Sequence, residues 1–254
     1  MTVGVVARNT FRETTRDRML IAVIAGGLAL FAATQALSPL ALGEESRLMV
    51  DLGLSGITVL GMMVVLLVGG SLVAKEIERK TVYNLLSRPI TRHEYLIGKW
   101  AGLTGTLWVM CAALGLGLWG SLALRGLGSY GQAVVEAVYL CGLELSLMAS
   151  TAVLFSALST PVLSSLYTVG LFLIGQWSYD LRSYAHAMPP QSRWILESVA
   201  SVVPNLPIFN MRSMASVVDP TTVVHLLTAT AYCALYAGCA LALATAAFES
   251  RDFK

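Results

Sequence analysis

The sequence predicts an all-α, polytopic membrane protein with six transmembrane helices, and three observations predict it. Of the 254 residues, 56% are hydrophobic and only 13% are charged, whereas soluble domains carry about 25% charged residues. The mean hydropathy is +0.70. The apolar residues also lie in long runs without Lys or Arg, close to the roughly 20 residues that a helix needs to cross a bilayer.

Six runs are predicted as spans of a single transmembrane domain covering residues 1–254. They are Met19–Leu37, Leu52–Ala74, Trp100–Leu124, Ala133–Leu158, Val162–Trp177 and Thr222–Phe248. The fifth is the shortest, and Ser159-Thr160-Pro161 predicts a tight hairpin before it, because proline is favoured at the start of a helix. The first run is longer than the apolar core of a signal peptide, so we expect it to stay in the mature protein.

The distribution of Lys and Arg predicts that both termini are cytoplasmic. With the N-terminus inside, twelve of the 17 Lys and Arg residues fall in cytoplasmic segments. Five fall outside, which agrees with the positive-inside rule. The predicted location is therefore the cell (inner) membrane, with residues 75–99 as a cytoplasmic loop and residues 178–220 as an extracytoplasmic loop. The net charge of +2 gives no reason to expect nucleic-acid binding.

Residues 1–18 are predicted to hold an amphipathic helix, Val5–Arg18, along the cytoplasmic interface. Its arginines recur at i, i+4 on one face: Arg8, Arg12 and Arg16. On this interpretation Val6 and Phe11 dip towards lipid. The alternative is a plain basic segment flanking the first span.

The cytoplasmic loop 75–99 predicts a helix, a break and a second helix. Residues 76–87 suit a short helix, which Pro89 ends because proline disfavours helix in the residue before it. Thr91 and Glu94 then form a capping-box pattern that starts a helix running into the third span. A surface helix held between two spans is a handle that a soluble partner could push; the alternative is an ordinary charged connector.

No active site is apparent in the sequence. There is no G-x-x-x-x-G-K-[ST] motif to hold ATP phosphates, and the four cysteines lie in apolar runs without metal-ligand spacing. We therefore predict that the chain is not an enzyme, binds no cofactor or metal, and has no catalytic residue.

The loop resembles the corresponding loop of ABC-2-type ABC transporter permeases, closest to the multicopper-enzyme-maturation and nitrous-oxide-reductase-cluster branch. The resemblance rests on Lys75–Thr81, Leu85–Ile90 and Gly98-Lys99. Weaker matches in the expected order are Phe11-Arg12-Glu13, Arg16-Asp17-Arg18, Phe155-Ser156, Ser159, Pro161, Pro204-Asn205-Leu206 and Phe209-Asn210. Pro207 departs from the family, which often has a charged residue there, so the identity of any extracytoplasmic partner is left open.

The resemblance implies a permease subunit, an exporter by family expectation, whose loop helix docks on a separate ATPase. The implied coupling surface consists of Glu76, Ile77, Glu78, Arg79, Thr81, Leu85 and Leu86. The N-terminal helix, with Arg8, Phe11, Arg12 and Arg16, corresponds to the family's elbow helix. The implied partners are two cytoplasmic ATPase subunits, which hold ATP and Mg, and a second permease subunit, identical or related.

Glu144 is the one carboxylate predicted near the middle of the membrane. An acidic residue there costs roughly 2.5–3.5 kcal/mol, so we expect a hydrogen-bond partner, with Thr104, Gln176 and Tyr236 as candidates. Glu144 lies either on the substrate path or in a contact that joins helices. Two small-residue ridges, Gly98-x-x-x-Gly102 and Ala234–Ala246, fit packing within the bundle as well as a dimer interface.

Two other functions stay open at this level: an ion-coupled secondary transporter, and a membrane scaffold that anchors a cytoplasmic ATPase without transport. The substrate is open as well. Lipids, peptides, small hydrophobic molecules, and sulfur or copper species all fit.

Overall fold

The computed structural model describes residues 2–37, 45–74, 91–179, 194, 202–211 and 222–249. Its helices, in chain order, are α1 Thr2–Thr15, α2 Arg18–Leu37, α3 Glu45–Val64, α4 Arg92–Ala123, α5 Gly131–Leu158, α6 Pro161–Gln176 and α7 Val223–Glu249. A π-helix, Val65–Gly69, continues α3, and 3-10 turns lie at Gly128–Tyr130 and Leu206–Phe209. These described residues contain no strand, which agrees with the predicted all-α class.

Four helices in the described ranges are long and apolar enough to cross a membrane. They are Glu45–Gly69, Arg92–Ala123, Gly128–Leu158 and Val223–Phe248. A fifth is added if Val3–Thr15 and Leu20–Gln35, which bend by 57°, form one broken span. Pro161–Gln176 is apolar but shorter. The predicted count of six spans therefore stays a prediction.

The helix α5 lies at the centre of the bundle, where it contacts α3, α4, α6 and α7. Every residue from Leu140 to Val153 is buried. A helix covered on all sides needs apolar side chains on every face, and this stretch supplies them with small or leucine residues. The central position of α5 brings Glu144 within reach of Gln176 at the end of α6, whereas Ser150 and Thr151 donate to carbonyl oxygens of α5 itself.

The predicted hairpin between α5 and α6 is confirmed. Ser159 and Thr160 have extended backbones, and Pro161 occupies the first turn of α6. At the opposite end of the bundle, Arg125 joins three elements. It donates to the Gln35 Oε1 at 2.7 Å and pairs with Glu45 at 3.2 Å, so the ends of α2, α3 and α4 are held together.

The second predicted span differs from the structure at both ends. The helix α3 begins at Glu45, earlier than the predicted Leu52, and its α-helical part ends at Val64 before the π-helix. The hydroxyl of Ser165 on α6 donates to the Leu66 carbonyl oxygen at 2.9 Å. Since this bond comes from a different helix, a periodic apolar run could not reveal the change in helix type.

Candidate functional site

The helix α1 lies directly against the first half of α4, on three glycines. A Cβ atom added at Gly98 would lie 2.7 Å from the Val6 Cβ, and one at Gly102 would lie 2.6 Å from the Ala7 carbonyl oxygen. The Phe11 ring is the nearest group to Gly105. Small residues allow such backbone contact between membrane helices, so the ridge that begins α4 serves packing within the chain.

The faces of α1 differ from the prediction in one respect. Arg8, Arg12 and Arg16 are all exposed, in agreement with their predicted common face. For Val6, however, the expected contact with lipid is not observed, whereas Phe11 is half-buried. Val6 is 9% exposed and faces α4, with Phe11 on the same side. The apolar spacing identified the buried face but could not distinguish lipid from a neighbouring helix.

The predicted cap at the start of α4 is present. The Thr91 backbone N–H donates to the Glu94 Oε2 at 3.2 Å, and the Thr91 hydroxyl donates to the same oxygen at 2.9 Å. In the next position, Arg92 donates from Nη1 to the Phe248 carbonyl oxygen at 2.9 Å and lies 5.8 Å from the centre of that ring. The start of α4 is thereby attached to the end of α7.

The last residues before the loop are attached to α5. Beyond the π-helix the chain turns, and the backbone N–H groups of Val73 and Ala74 donate to the Ser156 Oγ at 3.1 and 3.0 Å. Both N–H groups and the hydroxyl are buried. A displacement of the loop at this side would therefore move α5 as well as α3.

The loop between these two attachments, residues 75–90, lies outside the described residues. The predicted coupling residues Glu76, Ile77, Glu78, Arg79, Thr81, Leu85 and Leu86 all fall there. What the structure describes is how the chain enters and leaves this segment. Sequence reasoning identified the start of α4 at Thr91 and Glu94. It noted Ser156 only as part of a weak family match and did not predict its bonds to Val73 and Ala74, since a serine in an apolar helix gives no signal of its partners.

Replacing Ser156 with alanine is expected to lower stability and loosen the loop. The change leaves two buried N–H groups without their acceptor, at a cost of about 1–2 kcal/mol. Thermal unfolding of the purified protein should show the loss, while Ser71→Ala should show little. Ser71 is the matched control because its hydroxyl bonds only carbonyls of its own turn, Leu67 and Val68. Equal melting temperatures for both variants would contradict the assigned attachment.

Glu144 is buried near the middle of α5, with 2% of its surface exposed. The Gln176 Nε2, at the end of α6, donates to the Glu144 Oε1 at 2.5 Å. Of the three candidate partners, Gln176 is therefore the one that the structure identifies. The Thr104 hydroxyl is buried without a hydrogen-bond partner, and the Tyr236 hydroxyl donates to the Val202 carbonyl oxygen at 3.1 Å.

The segment 202–211 folds back against the same region. Leu206 is fully buried and Phe209 is 1% exposed, and a Cβ at Gly175 of α6 would lie 2.9 Å from the Leu206 side chain. Asn210 and Met211 line a small cavity together with Glu144. The sequence analysis placed these residues in the extracytoplasmic loop 178–220 and did not predict their position next to Glu144.

Hydrogen bonds hold this folded-back segment on α7. The Asn205 backbone N–H donates to the Tyr232 hydroxyl oxygen at 2.8 Å. The His225 Nε2 lies 2.9 Å from the Ile208 carbonyl oxygen. Since a short irregular segment cannot satisfy all its own backbone groups, such partners are what allow it to be buried among helices. Glu144 and Gln176 thus form a buried polar pair, and Asn210 and Met211, which line the cavity next to it, complete what we call the Glu144 cluster.

These features define a helical, multi-pass membrane protein in which a connecting loop is attached at both sides to the bundle. The chain belongs to the ABC-2 family transporter proteins, and the family match covers residues 5–252. Proteins of this family are membrane subunits that associate with ABC ATPases and are normally not the ATPase themselves. No curated protein matches the chain significantly.

Proposed function

We propose that the protein is the permease subunit of an ABC exporter and that it works with two separate cytoplasmic ATPases and a second permease subunit. The observation that carries this proposal is the double attachment of the loop, at Ser156 and at Arg92. Because both flanks of the loop are bonded to the bundle, a displacement of the loop would be passed on to α5 and α7. Membership of the ABC-2 family indicates that the partner acting on the loop is an ABC ATPase.

The proposed cycle begins with ATP and Mg on the partner ATPases. Closure of the ATPase pair displaces the loop helix, with Glu78, Leu85 and Leu86 in its contact surface. The displacement reaches α5 through Ser156 and α7 through Arg92. π-Helices often mark functional positions in helices. We therefore propose that α3 changes its conformation at Val65–Gly69 when the loop is displaced.

The proposed topology has six spans and both termini in the cytoplasm, with α1 as the elbow helix. The support is the charge bias of the sequence together with the exposed arginine face of α1. In this arrangement the loop 75–90 faces the ATPases. The ridge of Ala234, Gly238, Ala242 and Ala246 is on the exposed side of α7 within the described part of the chain, so it is available to the second permease subunit.

Glu144 is proposed to lie on the substrate path, beneath the folded-back segment 202–211. Glu144→Gln keeps an oxygen that can accept from Gln176, so assembly and melting temperature should stay near wild type. Transport should fall about tenfold or more if the negative charge meets the substrate, since charge-assisted bonds are about twice as strong as neutral ones. ATP-driven substrate accumulation in inverted vesicles measures the effect, and full activity would favour a purely structural contact.

The second candidate function is an ion-coupled secondary transporter, and the buried Glu144 is the observation that favours it. Such transporters carry several ionisable groups and broken helices at the midplane. The discriminating experiment is reconstitution into vesicles with and without the ATPase. Transport that follows ATP and is blocked by vanadate supports the ABC permease, whereas transport that follows an imposed proton gradient without ATPase supports the alternative.

A further inference from the structure

A large groove opens between α4 and α5, next to the turn that joins them. Its volume is about 890 Å³, which falls in the range of sites for small organic ligands. The principal side chains of its walls are Trp108, Leu116, Trp119, Val135, Val138 and Tyr139. No member of the Glu144 cluster is among the described residues of these walls, so the groove is a separate feature.

The walls of the groove present apolar surface outward. Leu116 is 67% exposed, Trp119 45% and Val135 68%. The polar atoms of the other two aromatic side chains are engaged inside the bundle. The Trp108 Nε1 donates to the Ser146 Oγ at 3.1 Å, and the Tyr139 hydroxyl lies 2.9 Å from the Thr230 hydroxyl. The groove therefore receives the faces of these rings rather than their hydrogen-bonding atoms.

Such a groove in a bilayer is filled by hydrocarbon. Water does not occupy apolar cavities that offer it no partners, and the groove opens sideways along helices that are long enough to span a membrane. A lipid acyl chain is flexible enough to follow it. Trp119 lies near the end of α4, where aromatic residues commonly meet lipid headgroups.

The end of the groove at the α4–α5 turn is polar and acidic. Gln132 and Glu136 lie one helical turn apart on α5, and the Gln132 Nε2 donates to the Glu136 Oε1 at 3.0 Å. A carboxylate and an amide at this level complement a headgroup that carries a cationic amine and hydrogen-bond donors.

We propose that this groove binds one phospholipid, with an acyl chain against Trp108 and Leu116 and a primary-amine headgroup against Gln132 and Glu136. A quaternary amine has no N–H to donate, so an ethanolamine headgroup should be preferred over choline. The proposal does not depend on the proposed transport function, and it holds for whichever leaflet faces the α4–α5 turn.

Native mass spectrometry of the full-length protein tests the proposal. The protein is exchanged into detergent with equal amounts of phosphatidylethanolamine and phosphatidylcholine of the same acyl chains. One retained phosphatidylethanolamine is expected, preferred about fivefold, the factor that one additional hydrogen bond provides, since both headgroups carry the same charge. Equal retention of both lipids, or no retained lipid, would overturn the headgroup assignment.

Two variants locate the site. Ala112→Phe adds a ring to the groove wall and should abolish retention, whereas Val109→Phe, also exposed on α4 but outside the groove, should not. Glu136→Gln should keep a bound lipid and lose the preference for ethanolamine. Unchanged retention in Ala112→Phe overturns the proposal. The proposal is also overturned if the protein binds no lipid and Ala112→Phe dissociates a dimer. A second copy of the chain, and not a lipid, would then cover the groove.

Discussion

Replacing both Leu85 and Leu86 with aspartate is expected to abolish association with the ATPase and with it all ATP-driven transport. The two leucines are the apolar part of the proposed coupling surface. Full burial of a leucine side chain in an interface contributes about 1.5–3 kcal/mol. Burying two carboxylates in their place adds a desolvation cost. The combined loss exceeds what the remaining contacts can compensate.

The measurement is co-purification of the ATPase with the tagged permease from membranes. Leu124→Asp is the matched control, because it places an aspartate at an 87% exposed leucine at the opposite end of α4. The control should retain the ATPase in full. Undiminished co-purification of the double variant would show that the ATPase contacts another surface.

Gly102→Val is expected to detach α1 from α4. Its Cβ would lie 2.6 Å from both the Ala7 carbonyl oxygen and the Thr10 Cβ. The carbonyl belongs to the backbone of α1, so no rotamer change can relieve the contact and the helix must move. Overpacking of this kind costs about 1–3 kcal/mol and occasionally more, and the rigid contact places this variant at the upper end.

The loss should appear as a lower melting temperature and as faster proteolysis within the first 18 residues. Gly120→Ala is the control on the same helix, since nothing lies within 4 Å of its Cβ position. It should leave both readouts unchanged. If Gly102→Val were as stable as the control, α1 would not be seated on α4 as the structure places it.

The parts of the fold that could be predicted are those fixed by local chemistry. The cap at Thr91 and Glu94 depends on residues three positions apart, and the hairpin at Ser159 depends on the proline that follows. A buried carboxylate needs a hydrogen-bond donor, so physical reasoning predicted that Glu144 has a partner and named Gln176 among three candidates; only the structure selected it. Composition together with the length of the apolar runs was enough for the all-α membrane class.

The remaining features depend on which elements meet, and a single sequence does not contain that information. Val6 has the same apolar side chain whether lipid or α4 covers it. The burial of Leu206 and Phe209 requires partners on α6 and α7 that lie far away in the chain. Ser156 became part of the proposed coupling route only because the end of α3 comes within hydrogen-bonding distance of it.

The most direct test of the central claim is the position of the loop in intact membranes. Glu78→Cys is introduced with Cys239→Ser, which removes the exposed native cysteine, whereas Cys111, Cys141 and Cys233 are buried. We predict that a membrane-impermeant maleimide labels the introduced loop thiol only in inverted vesicles and that bound ATPase protects it. Labelling from the outside of intact cells, or no protection by the ATPase, would contradict the account.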